Sequence, residues 1–294
     1  MTPKIGFLGL GTMGAPMAIN LLNAGYALNV WNRSAEAAQP LAEQGATVTS
    51  TPAQAAQDAD ILISMLADDH AVEDVMLTQG ALEALKPGAL HINMATISIA
   101  LAEQLTAQHQ TAQVGYIAAP VLGRVDVATA GQLNIFAAGA PQLLAQAQPL
   151  FDILGQTTWH FGDTPAQANA VKLGANFMIA SAINTMGEAS ALTQGYGIDK
   201  KAFIDLITST LFAAPVYKGY GQAIAEDRFE PPGFKLALGH KDVRLALEAA
   251  EQARVPMPQA SLLKDNGLDA LAHGDGTLDW AALATVAYRR AGQR

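Results

Sequence analysis

The stretch IGFLGLGTMG, residues 5–14, sets three glycines directly after an apolar run and directly before a helical pattern. An apolar run followed by G-x-G-x-x-G and a helix is typical of a strand–turn–helix unit that binds a dinucleotide. Gly9 permits the tight turn, Gly11 lets a pyrophosphate approach the backbone, and Gly14 lets the helix pack closely on the sheet. A bare strand–helix turn is the alternative interpretation. The residues predicted to bind the nucleotide in this turn are Gly9, Gly11, Thr12, Met13 and Gly14.

The end of the second predicted strand, VWNRS at residues 30–34, bears on the choice of dinucleotide. Proteins that bind NAD(H) usually place Asp or Glu about 20 residues after the glycines, where the carboxylate bonds the ribose 2′-hydroxyl. Asn32 takes that position here, and Arg33 follows it. A guanidinium can bind a 2′-phosphate with two hydrogen bonds, whereas a carboxylate would repel it. We therefore predict NADP(H) in preference to NAD(H), bound by Asn32, Arg33 and Ser34; an ordinary surface position for Arg33 is the alternative.

Strand and helix patterns alternate as far as Gly162 and then give way to helix alone. Strands are predicted at DILISML, GALHINMA, QVGYIAAPV, QLNIFAAG and TTWHFG, and a helix interrupted by Pro40 at AEAAQPLAEQG. After a long helical stretch from Ala166, helices are predicted around 200–210, 216–227, 237–253, 258–272 and 278–290. Alternation of this kind indicates right-handed crossovers and a mainly parallel sheet. We predict an α/β Rossmann-type domain over residues 1–162, followed by an all-α domain over residues 163–294.

The composition argues against several classes of partner. The 294 residues carry a formal net charge of −9, so the basic surface that binds a nucleic-acid backbone is missing. No apolar run is long enough to span a bilayer, and the N-terminus lacks the basic segment and cleavage site of a secretory signal. Cysteine is absent and the six histidines are scattered, so we predict no metal site. These features predict a cytoplasmic protein without nucleic-acid or membrane partners.

The segment NAVKLGANF, residues 169–177, holds the best candidate for a proton donor beside a nicotinamide. Lys172 and Asn176 stand four residues apart, so a helix presents them on one face. Their immediate neighbours are apolar, and burial among such residues lowers a lysine pKa toward the range useful for proton transfer. A lysine that extends along the helix into solvent is the alternative, and spacing alone favours it.

Five segments occur in an order that resembles the β-hydroxyacid dehydrogenase family, and the resemblance runs over nearly the whole chain. They are IGFLGLGTMGAPMAINLL, INMATIS, APVLGRVDVATAGQL, KLGAN and LGHKDVRLAL. The family includes 3-hydroxyisobutyrate dehydrogenases and reductases of glyoxylate or succinic semialdehyde. The resemblance implies a Rossmann-type domain followed by a helical domain, in agreement with the change of pattern after Gly162. It also implies that Lys172 is the general acid of carbonyl reduction and that Asn176 orients the substrate.

The same resemblance implies roles on the cofactor side. Thr96 matches a threonine beside the nicotinamide, and Met65 and Leu66 match the segment that borders the adenosine. Lys241 matches a lysine that reaches cofactor or substrate, and we expect Asp242 to pair locally. Without the resemblance, the two residues of the KD pair would be interpreted as exposed helical neighbours.

The substrate loop departs from the family's pattern D-x-P-V-S-G-G. The corresponding segment reads AAPVLGR, so Ala118 replaces the acid, Leu122 the serine and Arg124 the second glycine. Loss of the serine removes a donor to a carboxylate, and Leu122 adds apolar bulk in its place. Arg124 offers a charged group for an anion, and a solvent-facing arginine is the alternative. The predicted substrate-binding residues are Leu122, Gly123, Arg124 and Asn176.

These features predict an NADPH-dependent reductase of aldehyde or keto substrates, reversible as a hydroxyacid or alcohol dehydrogenase. An imine reductase is one alternative, although such enzymes generally lack a lysine at the position of Lys172. A non-catalytic dinucleotide-binding scaffold is another. The stretch NFMIASAINTMGEASALTQ is apolar on most helical faces and needs cover. Together with the family resemblance, it predicts a homodimer or homotetramer.

Overall fold

The fold was analysed in a computed structural model that describes residues 2–293. The chain divides into two compact units, of which the first extends to Lys172 and the second begins at Leu173. The predicted boundary after Gly162 falls just ahead of a long helix, whereas the compact division falls inside that helix. The assignment of separate functions to 1–162 and 163–294 stays a prediction.

The first unit is built on a six-stranded parallel sheet and a smaller three-stranded sheet. The strands are β1 (Ile5–Leu8), β2 (Leu28–Trp31), β3 (Thr47–Val48), β4 (Ile61–Ser64), β5 (Leu90–Asn93), β6 (Gly115–Ala118), β7 (Val121–Leu122), β8 (Leu133–Ala137) and β9 (Gly155–His160). The large sheet has the order β3-β2-β1-β4-β5-β6, with Phe7 opposite Val30 on one side and Ile63 on the other. The order reverses direction between β1 and β4, which makes this a doubly wound sheet. The predicted α/β fold is therefore confirmed.

Helices cover both faces of this sheet. They are α1 (Gly14–Asn23), α2 (Gln39–Ala42), α3 (Pro52–Ala56), α4 (Asp69–Glu73), α5 (Ala81–Ala84), α6 (Ile99–Thr111), α7 (Val125–Thr129) and α8 (Pro141–Leu154), with a 3₁₀ turn at Ala35–Ala38 and a π turn at Asp74–Thr78. Phe7 and Ile63 face the apolar layer that contains α1 and α8, whereas Leu62 faces the layer that contains α3 and α6. Strands covered on both faces read as continuous apolar runs, as ILIS does.

The predicted strand QVGYIAAPV is two strands in two sheets. β6 ends at Ala118 in the large sheet, and β7 begins at Val121 in the small one. Pro120 lies between them and has no N–H to continue a ladder. In the small sheet, β8 lies between an antiparallel neighbour, β7, and a parallel neighbour, β9. Because of this change, the segment after Pro120 belongs to the small sheet and does not extend the large one.

The second unit is helical, as predicted. Its elements are α9 (Ala166–Gly195, which starts in the first unit), α10 (Lys200–Ser209), α11 (Pro215–Ala225), α12 (Leu236–Ala253), α13 (Pro258–Ala272), α14 (Thr285–Arg290) and 3₁₀ turns at Asp275–Thr277 and Trp280–Ala284. Trp280 is 2% exposed and packs edge-on against Tyr220 and obliquely against Phe234. Within residues 2–293, no helix combines the length and the apolar character needed to cross a membrane.

Two predicted helices are broken in the structure. The pattern at 35–45 forms a 3₁₀ turn and then the single-turn helix α2, with Pro40 in its first turn, where a missing N–H is tolerated. The pattern at 278–290 forms a 3₁₀ turn before α14. There the Asp279 carboxylate accepts hydrogen bonds from Ala281 N and Gly233 N and sets the start of the turn.

Two histidines meet inside the layer that contains α6. His91 lies between Leu90 and Ile92 on β5 and therefore faces the opposite side of the sheet from them. Its Nδ1 lies 2.8 Å from Nε2 of His109, whose Nδ1 lies 2.7 Å from the Leu105 carbonyl oxygen. Burial lowers the pKa of His109 to about 4 and holds that of His91 well below its ordinary value. The sequence did not predict this contact, because the two histidines lie 18 residues apart on different elements.

We predict that the buried pair makes the folded state sensitive to acid. The pKa of His109 is lower in the folded chain than its ordinary value of 6.5, so unfolding takes up a proton below pH 6.5. Above pH 6.5, His109 does not lower the free energy of unfolding. As the pH drops from 6.5 toward about 4, the free energy of unfolding falls. His109 alone should lower the free energy of unfolding by on the order of 2 kcal/mol between pH 7 and pH 5.

Urea unfolding at pH 7, 6 and 5 measures this dependence. The variant His109→Gln removes one of the two buried titrating groups and should weaken the dependence, while His91 keeps its share. The variant His70→Gln changes an exposed histidine and should leave the dependence as in the original chain. Equal pH dependence in the original chain and in His109→Gln would contradict the assignment.

Candidate dinucleotide and catalytic sites

The predicted cofactor residues follow the carboxyl ends of four neighbouring strands. The glycine turn follows β1, Asn32 to Ser34 follow β2, Met65 and Leu66 follow β4, and Thr96 lies in the loop after β5. Carboxyl ends of parallel strands meet at one edge of a sheet, and ligands bind there where the strand order reverses. The structure therefore brings these sequence-predicted residues to a single edge of the first unit.

The glycine turn is built by close backbone approach. A Cβ on Gly14 would lie 1.9 Å from the Gly9 carbonyl oxygen, and a Cβ on Gly9 would lie 2.3 Å from the Met65 carbonyl oxygen. Gly9 also has a φ of +95°, which disfavours residues with a side chain. Gly11 differs, because no atom lies within 4 Å of the position its Cβ would take. Two glycines thus serve the protein's own packing, and Gly11 leaves open space above the turn.

The open space beside Gly11 fits a dinucleotide pyrophosphate. Thr12 and Gly11 are exposed, and Met13 takes the N-cap position of α1. The N-cap residue Met13 makes no side-chain cap, while Ala15 N donates to the Gly11 carbonyl oxygen and Pro16 has no N–H. The positive end of the helix dipole favours an anion beside the turn. The cradle that an added Cβ at Gly11 would fill is what the second glycine of a dinucleotide fingerprint provides.

Asn32 has a role in the turn that sequence reasoning missed. Its Oδ1 accepts a hydrogen bond from Leu10 N at 2.9 Å, and its Nδ2 donates to the Ser34 carbonyl oxygen at 2.9 Å. The side chain therefore ties the end of β2 to the glycine turn. Arg33 is exposed, and the Ser34 hydroxyl donates to Glu36 at 3.2 Å. Among residues 2–293, Arg33 makes no ion pair within 4.0 Å, so its guanidinium is available at this edge.

The helix α9 carries the predicted catalytic pair. Lys172 is 8% exposed and Asn176 is 3% exposed, so the alternative of a lysine extended into solvent does not hold in this structure. Their spacing places them one turn apart on the same face of α9. The lysine ammonium has three N–H donors, and the asparagine amide has both donors and an acceptor. The same face of α9 therefore carries two neighbouring groups that can hydrogen-bond a substrate oxygen.

Asn176 is oriented by Asp242 of α12. The amide Nδ2 of Asn176 donates to Oδ2 of Asp242, which is fully buried. A carboxylate only accepts, so the amide oxygen of Asn176 must point away from it. The ammonium of Lys241 lies 3.0 Å from the other oxygen of Asp242, and its side chain is 17% exposed. The buried carboxylate thus accepts a hydrogen bond at Oδ2 and has the Lys241 ammonium near Oδ1 without hydrogen-bond geometry.

The expected local pairing of Asp242 is confirmed, whereas the alternative of an exposed helical pair is not. Asp242 does pair with its neighbour, but it also joins α12 to α9, and neither side chain is exposed. The signal that identifies Asp242 is the helical period of α12. Gly239, Val243 and Ala246 are buried on the same side, and Asp242 falls within that stripe.

The predicted substrate-binding segment lies at the edge of the small sheet. Leu122 pairs with Asn134 of β8, and Arg124 occupies the N-cap position of α7. Both side chains are half-buried, and Gly123 between them is exposed, with a φ of +153°. The structure therefore brings Leu122, Gly123 and Arg124 together at one bend in the first unit.

Several other residues pack instead of lining a site. Tyr220 is buried against Trp280, and Phe212 pairs with Tyr217 at 5.1 Å between ring centroids. These aromatic contacts belong to the packing of the helical part. Across the described residues, no three His, Asp or Glu side chains are grouped as metal ligands.

Two family models match the chain in succession. Residues 4–162 match the NAD-binding domain of 6-phosphogluconate dehydrogenase, and residues 166–287 match the NAD-binding region of NADP-dependent 3-hydroxyisobutyrate dehydrogenase. The first match alone covers more than half of the chain. This chain belongs to the β-hydroxyacid dehydrogenase family.

Similar proteins align with this β-hydroxyacid dehydrogenase over most of their length. The uncharacterized oxidoreductase YfjR of Bacillus subtilis (strain 168) is 43% identical, over 95% of this chain and 98% of its own. Glyoxylate/succinic semialdehyde reductase 1 of Arabidopsis thaliana is 32% identical, over 95% of this chain and 96% of its own. The 3-hydroxyisobutyrate dehydrogenase of Mycobacterium tuberculosis, solved with L-serine, is 28% identical, with a TM-score of 0.87, and covers 97% of this chain and 99% of its own.

These findings confirm the predicted class of protein. The chain is an NAD(P)-dependent oxidoreductase that acts on CH–OH groups, with a Rossmann-type domain followed by a helical one. The predictions about individual residues, the preferred dinucleotide and the substrate go further than these likenesses and are taken up below.

We predict that two alanine substitutions in the glycine turn of this dehydrogenase separate folding from binding. Gly14→Ala forces a methyl group against the Gly9 carbonyl oxygen and should cost about 1–3 kcal/mol of stability. Gly11→Ala meets open space and should leave the melting temperature unchanged, while it weakens dinucleotide binding by about 10-fold or more. Thermal unfolding and a fluorescence titration with NADPH measure the two effects. Undiminished NADPH binding by Gly11→Ala would remove the pyrophosphate from this turn.

Proposed function

We propose that this enzyme reduces an aldehyde or keto group with NADPH and that Lys172 donates the proton. The observation that carries the proposal is the burial of Lys172 one helical turn before Asn176, whose amide is itself held by Asp242. Burial disfavours a charged amine, which favours release of its proton to an oxygen that gains negative charge. The reverse reaction, oxidation of a hydroxyacid or an alcohol, uses the neutral amine of Lys172 as a base.

Bound NADPH would supply the hydride. The chain's own residues have separate tasks in the proposal: Lys172 holds and donates the proton, and Asn176 offers an amide group to the reacting oxygen. Thr96 lies beside the nicotinamide, and Lys241 contacts cofactor or substrate. A positioned ammonium supplies both charge stabilisation and a proton, so this chemistry needs no metal ion.

The preference for NADPH is supported by the end of β2. Arg33 is exposed at the sheet edge, and the adjacent position holds Asn32, which has no negative charge to repel a 2′-phosphate. The Glu36 carboxylate lies beside Ser34 and opposes the same phosphate. We propose that Arg33 outweighs it because a guanidinium forms two charge-assisted hydrogen bonds at once.

The substrate differs from a small hydroxyacid held by a serine. Leu122 stands where the family's pattern has that serine, so the site offers apolar contact in place of a hydroxyl. Arg124, one glycine further along, provides the charge for an acidic group of the substrate. The relatives include a glyoxylate/succinic semialdehyde reductase, which supports an aldehyde with an acidic group as the substrate.

Neither alternative function is favoured by a specific feature. Lys172 is present and buried, whereas imine reductases generally lack it and a scaffold has no use for it. We also propose a homodimer or homotetramer, because large apolar side chains such as Met178, Leu192 and Leu206 are exposed in the helical unit. The division of roles between residues 1–162 and 163–294, and the cytoplasmic location, remain predictions.

We predict that Lys172→Ala lowers kcat by about 100-fold or more, because it removes the general acid. NADPH binding should remain nearly unchanged, since the glycine turn lies elsewhere on the chain. A carbonyl panel monitored by NADPH absorbance provides the measurement. Lys201→Ala is the matched control, because that lysine is exposed and pairs with Asp205. Unchanged turnover in Lys172→Ala would remove the residue from the mechanism.

We predict that Arg33→Ala weakens NADPH much more than NADH, by about 10-fold against less than about 2-fold, because the lost hydrogen bonds reach only the 2′-phosphate. Glu36→Gln should move the ratio the opposite way, since it removes the opposing charge. Both ratios come from parallel titrations of the two dinucleotides. Equal weakening of NADPH and NADH by Arg33→Ala would rule out the 2′-phosphate contact.

A further inference from the structure

A continuous polar chain crosses the apolar layer between β4, β5 and α6. Ser64 Oγ lies 2.8 Å from Nε2 of His91 and 3.2 Å from Oδ1 of Asn93. His91 continues the chain to His109 on α6, which ends on the Leu105 carbonyl oxygen. All four polar side chains are 0–1% exposed. None of them contacts a residue that the proposed chemistry uses, so the chain requires a separate explanation.

The direction of each hydrogen bond follows from the last acceptor of this polar chain, the Leu105 carbonyl oxygen. A carbonyl oxygen only accepts, so His109 carries its proton on Nδ1 and accepts at Nε2 from His91. His91 then accepts at its own Nε2, and the Ser64 hydroxyl shares its single proton between that nitrogen, at 2.8 Å, and Oδ1 of Asn93, at 3.2 Å. Burial keeps both histidines neutral near pH 7, and this proton arrangement requires no charge. The chain therefore fixes one tautomer of each ring and one orientation of the Ser64 hydroxyl.

Such a chain is a poor means of stabilising a core. The surrounding layer is apolar and includes Leu101, Leu105 and Val114. Polar groups in such surroundings lose their hydration and regain it only in part through hydrogen bonds, so apolar side chains would stabilise the layer at least as well. What a satisfied buried network does supply is a single, directed arrangement of the elements that it joins.

The arrangement that it directs is the loop carrying Thr96. Oδ1 of Asn93 accepts a hydrogen bond from Ala95 N at 3.1 Å, and Nδ2 donates to the Tyr116 hydroxyl at 3.2 Å. Ala95 immediately precedes Thr96. At the far end of the loop, Ser98 N donates to the Asp69 carboxylate at 2.9 Å, and the Ser98 hydroxyl caps α6. Both ends of the five-residue loop are thus held by buried or half-buried polar contacts.

The histidine pair also joins the two elements that the loop connects. β5 leads into the loop and α6 leads out of it, and the hydrogen bond between His91 and His109 links them directly. A shift of α6 along the sheet would break this bond and move the end of the loop. We propose that Asn93, held by Ser64 and the His91–His109 pair, is a positioning residue that sets the place of Thr96. Only the task of Thr96 beside the nicotinamide rests on the proposed function.

Three variants test the proposal. Asn93→Leu keeps the size of the side chain and removes the acceptor for Ala95 N. Asn93→Asp restores an acceptor for that N–H and for the Ser64 hydroxyl. Leu85→Ala opens a cavity in the same apolar layer without touching the polar chain, and it controls for a general loss of stability.

The first measurement is hydrogen exchange of residues 94–98 in the nucleotide-free protein. We expect Asn93→Leu to speed exchange at Ala95 by about 10-fold or more, because the N–H loses its partner. Asn93→Asp should restore slow exchange, and Leu85→Ala should leave it slow. Exchange at Ala95 that stays slow in Asn93→Leu, or that rises equally in Leu85→Ala, would overturn the proposal. If Asn93→Leu does not fold, Ser64→Ala takes its place, with faster exchange supporting the proposal and unchanged exchange overturning it.

The second measurement compares NADPH with 2′,5′-ADP, which lacks the nicotinamide half. Asn93→Leu should weaken NADPH by about 10-fold and 2′,5′-ADP by less than about 2-fold, because only the nicotinamide end meets Thr96. Equal weakening of both ligands would overturn the link to the nicotinamide. If the original chain shows no preference for NADPH and no turnover, the proposed function fails, and the exchange measurement still decides whether Asn93 positions the loop.

Discussion

The close approach of Gly14 to the Gly9 carbonyl oxygen is the constraint on which the cofactor edge depends. It lets α1 begin directly after the glycine turn, with the positive end of its dipole at the carboxyl edge of the sheet. The carbonyl oxygen of Met65 approaches Gly9 just as closely, so the segment after β4 shares the same turn. A side chain larger than hydrogen at either glycine would separate these segments. The backbone contacts of Gly9 and Gly14 thus set the positions from which the side chains of this edge extend.

Buried polar groups interrupt the apolar packing of this enzyme at several places in the described chain, and two of these places bear on the candidate site. In the helical unit, Asp242 holds the Asn176 amide in one orientation and pairs with Lys241. In the first unit, Ser64 and the two histidines hold Asn93 against the backbone of the loop that carries Thr96. In both cases, a buried partner holds the side chain or the loop to which the proposed function assigns a contact with substrate or cofactor. A polar group that loses its partner in a low-dielectric surrounding costs free energy, so each of these groups keeps one orientation.

Much of the fold was predictable because its signals are local. The glycine turn, the apolar strands and the loss of strand pattern after Gly162 each depend on neighbours along the chain, and each prediction was confirmed. The strand QVGYIAAPV was predicted as one element and is two, because the change of sheet after Pro120 depends on what pairs with each half. Asn32 was placed correctly at the end of β2, but its bond to Leu10 N depends on a turn that packs beside it in space.

The sequence by itself determined the class of fold, the family and the set of candidate residues, because motif spacing and hydrophobic period are properties of the chain alone. Only the tertiary structure decided which of those residues are buried and what orients them. Asp242 and His109 lie 66 and 18 residues from the side chains they contact. Hydrogen bonds over such separations depend on how helices and strands pack, and a linear pattern does not encode that packing locally.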